Sequence, residues 1–499
     1  MVAAGRRRVL FLVVLALVLA AAARVAVAGG AGGEEKEEQA VLRLWSSDGG
    51  AEEGADQDDR FKWEEEEEEE EDDDDDNGDL DEEEGHVMML PGRGRTCRNV
   101  VNVNTFGAAG DGDADDTEAF SDAWKKACSL DNAVFLVPAG RRYKVGAIQF
   151  VGPCKERMTI QIQGTIVAPE EPSAWNPRSP RLWLLFSRLA GARIQGGGVI
   201  DGSGSKWWAN SCKINKSNPC KPAPTAVTID SCRGVRVRGL RVQNAQQMHL
   251  TVSRSRGVRL SGLRVEAPED SPNTDGIHVA DSTAVTIQGC RIGTGDDCVS
   301  IANGSFNVKM RGIDCGPGHG ISIGSLGKGG AFAAVANVAL DTARIRRAQN
   351  GVRIKTWQGG AGYVRDVRFA NVAVDGVDRP IIIDQFYCDA DRRPCANQTS
   401  NVRVSGVAYR NITGTSRRAE AITFACSDAV PCTDIVLSDI SLRREDGGGD
   451  VQTVCNCAVG KDYGRVSPAA DCLRSSTCGR KPDDGEQGKA GDAILHTEL

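Results

Sequence analysis

The segments VRVRGL (235–240), VRLSGL (258–263), VTIQGC (285–290) and VKMRGI (308–313) share one pattern. Apolar and polar residues alternate in each, and a glycine stands at the fifth position, so that successive glycines are 23, 27 and 23 residues apart. Such alternation is typical of a β-strand with one buried face, and the glycine allows the backbone to bend. Looser copies of the pattern occur at 160–166, 194–200, 338–343, 367–372, 402–407 and 435–440.

The length of this repeat indicates the fold. A β-sandwich would place its strands about 8 to 12 residues apart, and a propeller would repeat about every 40 residues. A repeat of intermediate length that recurs about ten times is typical of a parallel β-helix, in which each coil stacks on the one before. The sequence therefore predicts an all-β solenoid of about ten coils, with equivalent side chains of adjacent coils about 4.8 Å apart.

One segment has a helical pattern. It runs from about Asp116 to Cys128, with Asp115 or Asp116 as the N-cap and Glu118 in the first turn. We expect this helix to cap one end of the solenoid.

The net charge of −9 hides two oppositely charged parts. Residues 34–84 contain 28 acidic and 4 basic side chains, a net charge of −24, whereas residues 85–499 carry +11. The acidic part cannot bury enough apolar surface to fold and its charges repel one another, so we interpret it as disordered. The basic part is suited to polyanions, which outside the cell means acidic polysaccharide at least as readily as nucleic acid.

The first residues are typical of a secretory signal, with arginines at 6–8, an apolar run at 9–23 and a small-residue cleavage site at 26–28. An uncleaved membrane anchor is the alternative, but the apolar run is short for a bilayer. We therefore expect a secreted protein. The predicted parts are a signal peptide (1–28), an acidic disordered leader or propeptide (29–96), a β-helix domain (97–480) and a flexible tail (481–499).

The 17 cysteines fit an oxidising compartment. Pairs that lie close in sequence are expected to form disulfides: Cys212 with Cys220, Cys388 with Cys395, Cys426 with Cys432 and Cys472 with Cys478. Because the number is odd, at least one thiol should be free or bonded to another chain. A zinc site is the competing interpretation, but the cysteines at 455 and 457 have the wrong spacing for it.

Chemically useful residues occur in four short segments: Asn-Thr-Asp at 273–275, Gly-Asp-Asp at 295–297, Gly-His-Gly at 318–320 and Arg-Ile-Lys at 353–355. From Asp275 to Asp297 is 22 residues, and from Asp297 to His319 is another 22. Since this spacing matches one coil of the solenoid, the segments should stack on one face. We expect a single functional site there.

Asp275, Asp296 and Asp297 would lie on two adjacent coils. Neighbouring negative charges raise each other's affinity for a proton, so one carboxyl keeps its proton while another is ionised. Glycoside hydrolysis needs this combination, because a carboxylic acid protonates the departing oxygen and a carboxylate activates water or attacks the sugar. The residues alone do not separate the roles of Asp296 and Asp297.

Arg353 and Lys355 alternate on one predicted strand, so they point to the same side. Two cations beside an acid and a base could bind the carboxylates of an acidic sugar, and Arg353 has the better geometry for a two-oxygen partner. A neutral sugar would have little use for them.

With these segments the chain resembles the plant-type polygalacturonases, the pectin-hydrolysing family (glycoside hydrolase family 28) built as a right-handed parallel β-helix. The similarity covers about residues 98–480 and includes all four segments. Further matching stretches are Phe-Gly-Ala at 106–108, Ile-Asp-Gly at 200–202, Ser-Pro at 271–272 and Pro-Ile-Ile-Ile-Asp-Gln at 380–385.

The resemblance implies a secreted enzyme of the cell wall that hydrolyses α-1,4 bonds between galacturonic acids with inversion, and it favours endo action. By resemblance, Asp296 is the general acid, Asp275 and Asp297 activate the water, and His319 maintains the proton balance near the acid. The predicted partner is an acidic polysaccharide, with no nucleic acid, membrane, metal or cofactor involved, and the protein should be a monomer.

The residues predicted by resemblance to bind substrate are Asn273, Arg353 and Lys355. The resemblance also implies a disulfide between Cys298 and Cys315, which bracket the coil between the second and third segments. The acidic leader has no counterpart in this resemblance.

Three alternatives stay open. The enzyme could act in the exo mode, or it could hydrolyse a modified pectin such as rhamnogalacturonan or xylogalacturonan on the same scaffold. A lyase is less consistent with a group of three aspartates. A catalytically silent, wall-binding β-helix is the alternative from another class, although none of the four segments is damaged.

Overall fold

The computed structural model describes residues 98–175, 179–389, 395–474 and 478. Short strands dominate these residues. The predicted signal peptide, acidic leader and C-terminal tail lie outside the described residues, and the domain boundaries stay predictions.

The described residues form 31 β-strands. The first ten are β1 (Asn99–Asn102), β2 (Asp111–Asp115), β3 (Ala133–Val137), β4 (Arg142–Lys144), β5 (Ile148–Val151), β6 (Thr159–Ile162), β7 (Thr165–Val167), β8 (Leu182–Ser187), β9 (Arg193–Gln195) and β10 (Val199–Asp201). The next ten are β11 (Thr225–Asp230), β12 (Arg236–Arg238), β13 (Arg241–Gln243), β14 (Leu250–Ser253), β15 (Arg259–Ser261), β16 (Arg264–Glu266), β17 (Ile277–Ala280), β18 (Thr283–Gln288), β19 (Arg291–Gly293) and β20 (Val299–Ile301).

Most of the remaining strands are longer. They are β21 (Ser305–Cys315), β22 (Ile321–Leu326), β23 (Phe332–Arg346), β24 (Asn350–Trp357), β25 (Ala361–Val377), β26 (Arg379–Tyr387), β27 (Arg403–Ser416), β28 (Glu420–Ala425), β29 (Cys432–Arg444), β30 (Gln452–Asn456) and β31 (Ala458–Ser467). Two α-helices, α1 (Thr117–Cys128) and α2 (Ser205–Ala209), and four 3-10 helices, Val103–Phe106, Pro172–Ala174, Lys328–Gly330 and Asp471–Leu473, complete the described elements.

The strands belong to two sheets, one of eleven strands and one of twenty. The eleven-strand sheet consists of β5, β8, β11, β14, β17, β20, β22, β24, β26, β28 and β30, each paired in parallel with the next. Between these strands the chain crosses the twenty-strand sheet, first as two short strands per coil and from β21 onward as one long strand. The predicted right-handed parallel β-helix is confirmed.

The interior of the solenoid is apolar, because alternate residues of each strand point inward. In β12, for example, Val237 is buried between exposed arginines at 236 and 238. At the N-terminal end, α1 closes the stack. Its Phe120 and Trp124 pack edge-to-face on Phe135, and Trp124 also contacts Phe150.

The N-cap of α1 is Asp116, one of the two predicted residues, but its side chain does not cap the helix. The Asp115 carboxylate accepts from the N–H of Thr117 at 3.0 Å, whereas the Asp116 side chain turns back and accepts from the N–H of Ala109. Asp116 therefore ties the helix to the preceding loop. The short helix α2 was not predicted, because five residues are too few to show helical periodicity.

The predicted bends form a column of residues in the left-handed conformation, with φ between 50° and 65°. Strand register places them on successive coils: Gly239, Gly262, Gly289, Gly312, Thr342, Asn371, Asn411 and Asp439. Glycine, asparagine and aspartate adopt this conformation more easily than other residues, which explains why they hold every position of the column except that of Thr342.

The repeat predicted at 402–407 is displaced. Val367 pairs with Val407, so the true copy on that coil is 407–412. Gly406 misled the prediction because it occupies a second left-handed bend, at the other corner of the coil.

Seven disulfides link described cysteines, and three of the four pairs predicted from short separation are confirmed. The prediction for Cys472 and Cys478 is wrong, because they bond to Cys455 and Cys457 respectively. Stacking of coils brings cysteines together that are 17 and 21 residues apart, which proximity in sequence does not show. A further bond joins Cys128 to Cys154, and the buried Cys232 and Cys290 are free thiols.

Among the described residues, no helix is long and apolar enough to cross a membrane.

Thr342 is the one β-branched residue in the column of bends, and it is exposed. The left-handed conformation costs such a residue about 1 to 2 kcal/mol, whereas asparagine adopts it readily. We expect Thr342→Asn to raise the free energy of unfolding by about 1 kcal/mol in urea denaturation. The matched control is Thr413→Asn at an exposed, extended position of β27, which should lower stability slightly; equal effects of the two substitutions would contradict the account.

Candidate active site

The four predicted segments meet on one face of the eleven-strand sheet. Ile277, Val299, Ile321 and Val352 are register partners on four neighbouring strands, β17, β20, β22 and β24. The first three segments end just before β17, β20 and β22, and the fourth lies within β24. The N–H of Gly276 donates to the carbonyl of Asp297 at 2.9 Å, so the coils stay in contact through the turns that carry the aspartates.

Glycines allow these turns to approach closely. A Cβ atom at Gly295 would lie 2.0 Å from the carbonyl oxygen of Ser271, and one at Gly276 would lie 2.3 Å from Ile292. No side chain fits at either position. The glycines next to Asp275 and Asp296 are therefore required by the stacking itself.

Asp297 is the centre of a buried ionic cluster. Its Oδ1 accepts from Arg353 Nη2 at 2.9 Å and from the Ser322 hydroxyl at 2.7 Å, and its Oδ2 accepts from Lys355 Nζ at 3.1 Å. Burial of the side chain opposes ionisation, but the charges of Lys355 and Arg353 outweigh it and lower the pKa of Asp297. Asp297 is therefore an ionised carboxylate.

Asp275 has the opposite state. It is 7% exposed, and its Oδ2 accepts from the Ser300 hydroxyl at 2.7 Å. Burial, followed by the negative charges of Asp296 and Asp297, raises the pKa of Asp275 to about 8. Asp275 therefore carries a proton at neutral pH.

Asp296 is the most accessible of the three carboxyl groups, with 15% of its side chain exposed. Its Oδ1 lies 3.0 Å from His319 Nδ1 and accepts from the N–H of Asp297, while its Oδ2 accepts from Asn273 Nδ2 at 3.2 Å. Burial opposes a charge on His319, but Asp296 outweighs it and raises the pKa of the imidazole. The hydrogen bond to Asp296 thus favours a protonated His319 at the rim of the site.

Three further polar residues belong to the site and were not predicted. His278, Ser300, Ser322 and Arg353 are register partners in one outward column. Ser300 lies between Asp275 and His278, whose Nδ1 is 2.8 Å from the hydroxyl, and Ser322 lies between Asp297 and Arg353, whose Nε is 3.1 Å away. Their signal in the sequence was the same 22-residue spacing, because 278, 300 and 322 follow 275, 297 and 319 by three residues each.

This column explains the unequal states of the two buried aspartates. A serine hydroxyl of the next coil donates a hydrogen bond to each aspartate. The residue that contacts the other side of this serine differs between the two. Burial lowers the pKa of His278 to about 4, so the neighbour on the Asp275 side is neutral. The neighbour on the Asp297 side is the permanently charged Arg353.

Arg353 and Lys355 do point to the same side, as predicted, but they are almost fully buried, with 4% and 6% exposure. Lys355 Nζ also lies 5.2 Å from the centre of the Tyr387 ring. Their contacts with Asp297 give them a role that was not predicted, which is to keep that carboxylate ionised. Their binding of substrate stays a prediction.

Asp296, Asp297 and His319 each offer a ligand atom within 4.8 Å of the others, a spacing that a metal ion could use. Both oxygens of Asp297, however, already accept hydrogen bonds from Lys355, Arg353 and Ser322. The contacts of Asp297 are therefore better suited to the cationic side chains of the protein than to a metal ion.

The disulfide predicted between Cys298 and Cys315 is confirmed, and it anchors the residue that follows Asp297.

Known proteins resemble this chain in sequence and in fold. The model of glycosyl hydrolases family 28 matches residues 128–462. A probable polygalacturonase of Arabidopsis thaliana is 47% identical over 76% of this chain and 85% of its own length, and polygalacturonase-2 of Solanum lycopersicum is 47% identical over 70% and 76%. The endo-xylogalacturonan hydrolase of Aspergillus tubingensis superposes with a TM-score of 0.60 at 23% identity, over 73% of this chain and 99% of that one, which is a likeness of fold.

The opposite states of the two buried aspartates predict opposite effects on stability. Since the pKa of Asp275 is raised from 3.8 to about 8, the folded protein holds a proton that the unfolded chain releases. Stability should therefore fall as pH rises between these values, by up to about 1.4 kcal/mol per pH unit. We expect Asp275→Asn to remove most of this slope in urea denaturation at pH values across the window.

The matched variant is Asp297→Asn. It leaves Arg353 and Lys355 buried without a countercharge, so we expect a loss of about 3 to 5 kcal/mol at neutral pH. The charges would be assigned wrongly if the free energy of unfolding changed with pH in parallel for the wild type and Asp275→Asn. They would also be assigned wrongly if Asp297→Asn were as stable as the wild type.

Proposed function

Because the chain belongs to glycosyl hydrolases family 28 and is a glycoside hydrolase of pectin, we propose that it cleaves the α-1,4 bonds of polygalacturonate with the residues of the site above. The observation that carries this proposal is that Asp296, hydrogen-bonded to His319, stands next to an ionised Asp297 in the same turn. Inverting hydrolysis requires an acid and a base that are both in place before the substrate arrives.

Asp296 is the general acid of the proposal. It is the most accessible of the three carboxyl groups, so it can reach the glycosidic oxygen and give it a proton as the bond breaks. His319 then returns a proton to Asp296. The raised pKa of His319 keeps this reserve of protons available.

Asp297 is the general base and accepts a proton from the attacking water. Arg353 and Lys355 hold it ionised, which a base requires. The sequence-based prediction gave the same role to Asp275. In the free enzyme the pKa of Asp275 favours its neutral form, so we assign it to orienting the water through hydrogen bonds instead.

The substrate carboxylates are recognised by the positive field of Arg353 and Lys355, and Asn273 positions the sugar next to Asp296. The likeness to the xylogalacturonan hydrolase is one of fold, so unsubstituted polygalacturonate is the proposed substrate. The proposal further includes secretion of the protein after removal of residues 1–28. The enzyme then acts in the cell wall as a monomer and cleaves in the endo mode.

Incubation of the purified protein with polygalacturonic acid tests the proposed reaction. We expect oligomers of intermediate length to appear first, with viscosity falling before much of the chain is degraded, because an endo enzyme cuts inside the polymer. Chromatography of products over time measures this. Monomer as the first and sole product would establish exo action, and absence of hydrolysis would contradict the proposed function.

Asp296→Asn tests the assignment of the acid. The substitution keeps the shape of the side chain but removes its proton, so we expect turnover of polygalacturonate to fall by about 100-fold to 10,000-fold with thermal stability nearly unchanged. The control is Asp375→Asn at an exposed position of β25, which should retain full activity. An Asp296→Asn enzyme with most of its activity would refute the assignment.

A further inference from the structure

The outer face of the twenty-strand sheet carries a ladder of arginines. Arg193, Arg236 and Arg259 are direct register partners on β9, β12 and β15, and Arg233 is bridged to Arg256 at the preceding corner. All five are exposed. The residues that alternate with them, such as Val235 and Leu260, are fully buried, so the arginines line the outside of three successive coils.

Part of this ladder has no countercharge among the residues that the structure describes. Arg193, Arg233, Arg256 and Arg259 form no ion pair there, although the neighbouring Arg254 is paired with Asp230. The contrast with the next column of the same sheet is clear. There Arg241 and Arg264 are also register partners, and Glu266 forms ion pairs with both.

Like charges directly opposite each other on neighbouring strands destabilise a sheet. The side chains of the ladder stand about 4.8 Å apart at their bases, a distance over which salt screens little. At the pair Arg233 and Arg256 the fold therefore maintains an arrangement that costs stability, while the adjacent column shows that one glutamate shared by two coils would relieve it. A ligand that supplies negative charges at the same spacing would relieve it as well.

We propose that this ladder, defined as Arg193, Arg233, Arg236, Arg256 and Arg259, is a second binding surface for acidic polysaccharide, separate from the catalytic face. A linear polyuronate that runs along the solenoid axis presents one carboxylate after another to successive coils. Guanidinium groups bind carboxylates through two parallel hydrogen bonds, so arginine suits this ligand better than lysine. The site of hydrolysis lies on the eleven-strand sheet, so a polymer held here leaves the catalytic residues free.

The surface is charged and flat, so its contribution is to retain the enzyme on its polymer and not to select a bond. Retention should weaken as salt concentration rises, because exposed charge pairs are screened. The binding surface itself does not depend on the proposed catalytic roles, and its test uses the proposed role of Asp296 only to keep the polymer intact.

The test compares two variants of the full chain that lose the same charge. The ladder variant carries Arg193→Gln, Arg233→Gln, Arg256→Gln and Arg259→Gln. The control variant carries Arg403→Gln, Arg410→Gln, Arg443→Gln and Arg465→Gln, four exposed arginines toward the C-terminal end of the solenoid. Both are made in the Asp296→Asn background so that the polymer is not degraded, and binding to immobilised polygalacturonate and polyglutamate is measured at several salt concentrations.

We expect the ladder variant to lose about tenfold in affinity for polygalacturonate at low salt, the combined effect of four exposed ion pairs of ordinary strength. Its melting temperature should equal or exceed that of the parent, because repulsion is relieved. The control should change by less than about twofold, and polyglutamate binding should fall less than polygalacturonate binding.

Equal losses in the ladder and control variants would overturn the proposal, because net charge alone would then explain binding. Equal losses for polygalacturonate and polyglutamate would also overturn it, since the ladder would then be a general anion surface. Both outcomes are read from binding alone, so a failure of the proposed reaction would be detected separately, in the incubation of the wild-type protein with polygalacturonic acid.

Discussion

The parallel register of β17, β20, β22 and β24 is the constraint on which the site depends. Because side chains of a strand alternate between faces, a slip of one residue would move every outward group to the interior. Two successive intervals of 22 residues keep Asp275, Asp297 and His319 at the starts of neighbouring strands, and the glycines beside them allow the coils to touch. The chemistry is thus a consequence of how coils stack, and no loop needs to fold over the site to assemble it.

The register also creates the electrical difference between the two buried aspartates. Both stand in the same backbone setting and both contact a serine of the next coil. What separates them is their distance from Arg353 and Lys355, which belong to a strand three coils beyond β17 but only two beyond β20, and which donate hydrogen bonds to Asp297. One repeated unit thus yields a neutral and an ionised carboxyl group, because the cations are present at one end of the column. Burial amplifies the difference, since charges interact more strongly away from water.

Much of this organisation was predictable from the sequence. The alternation around Gly239, Gly262, Gly289 and Gly312 identified the solenoid, and the 22-residue spacing brought the motif residues to one face. Prediction failed where contacts depend on stacking across coils of unequal length. Arg353 follows Ser322 by 31 residues, so its contact with Asp297 could not be deduced from a fixed repeat. The same reason explains the misassigned Cys472, and Gly406 shows that one residue type can mark either of two bends.

The most direct test of the account is an NMR titration of the aspartate carboxyl carbons, with the resonances of Asp275 and Asp297 assigned by single Asn substitutions. The account predicts that the Asp275 carboxyl titrates with a pKa of about 8 and that Asp297 stays ionised below the usual range for aspartate. If both carboxyl groups titrated together in the ordinary acidic range, the proposed separation into a protonated and an ionised aspartate would be wrong.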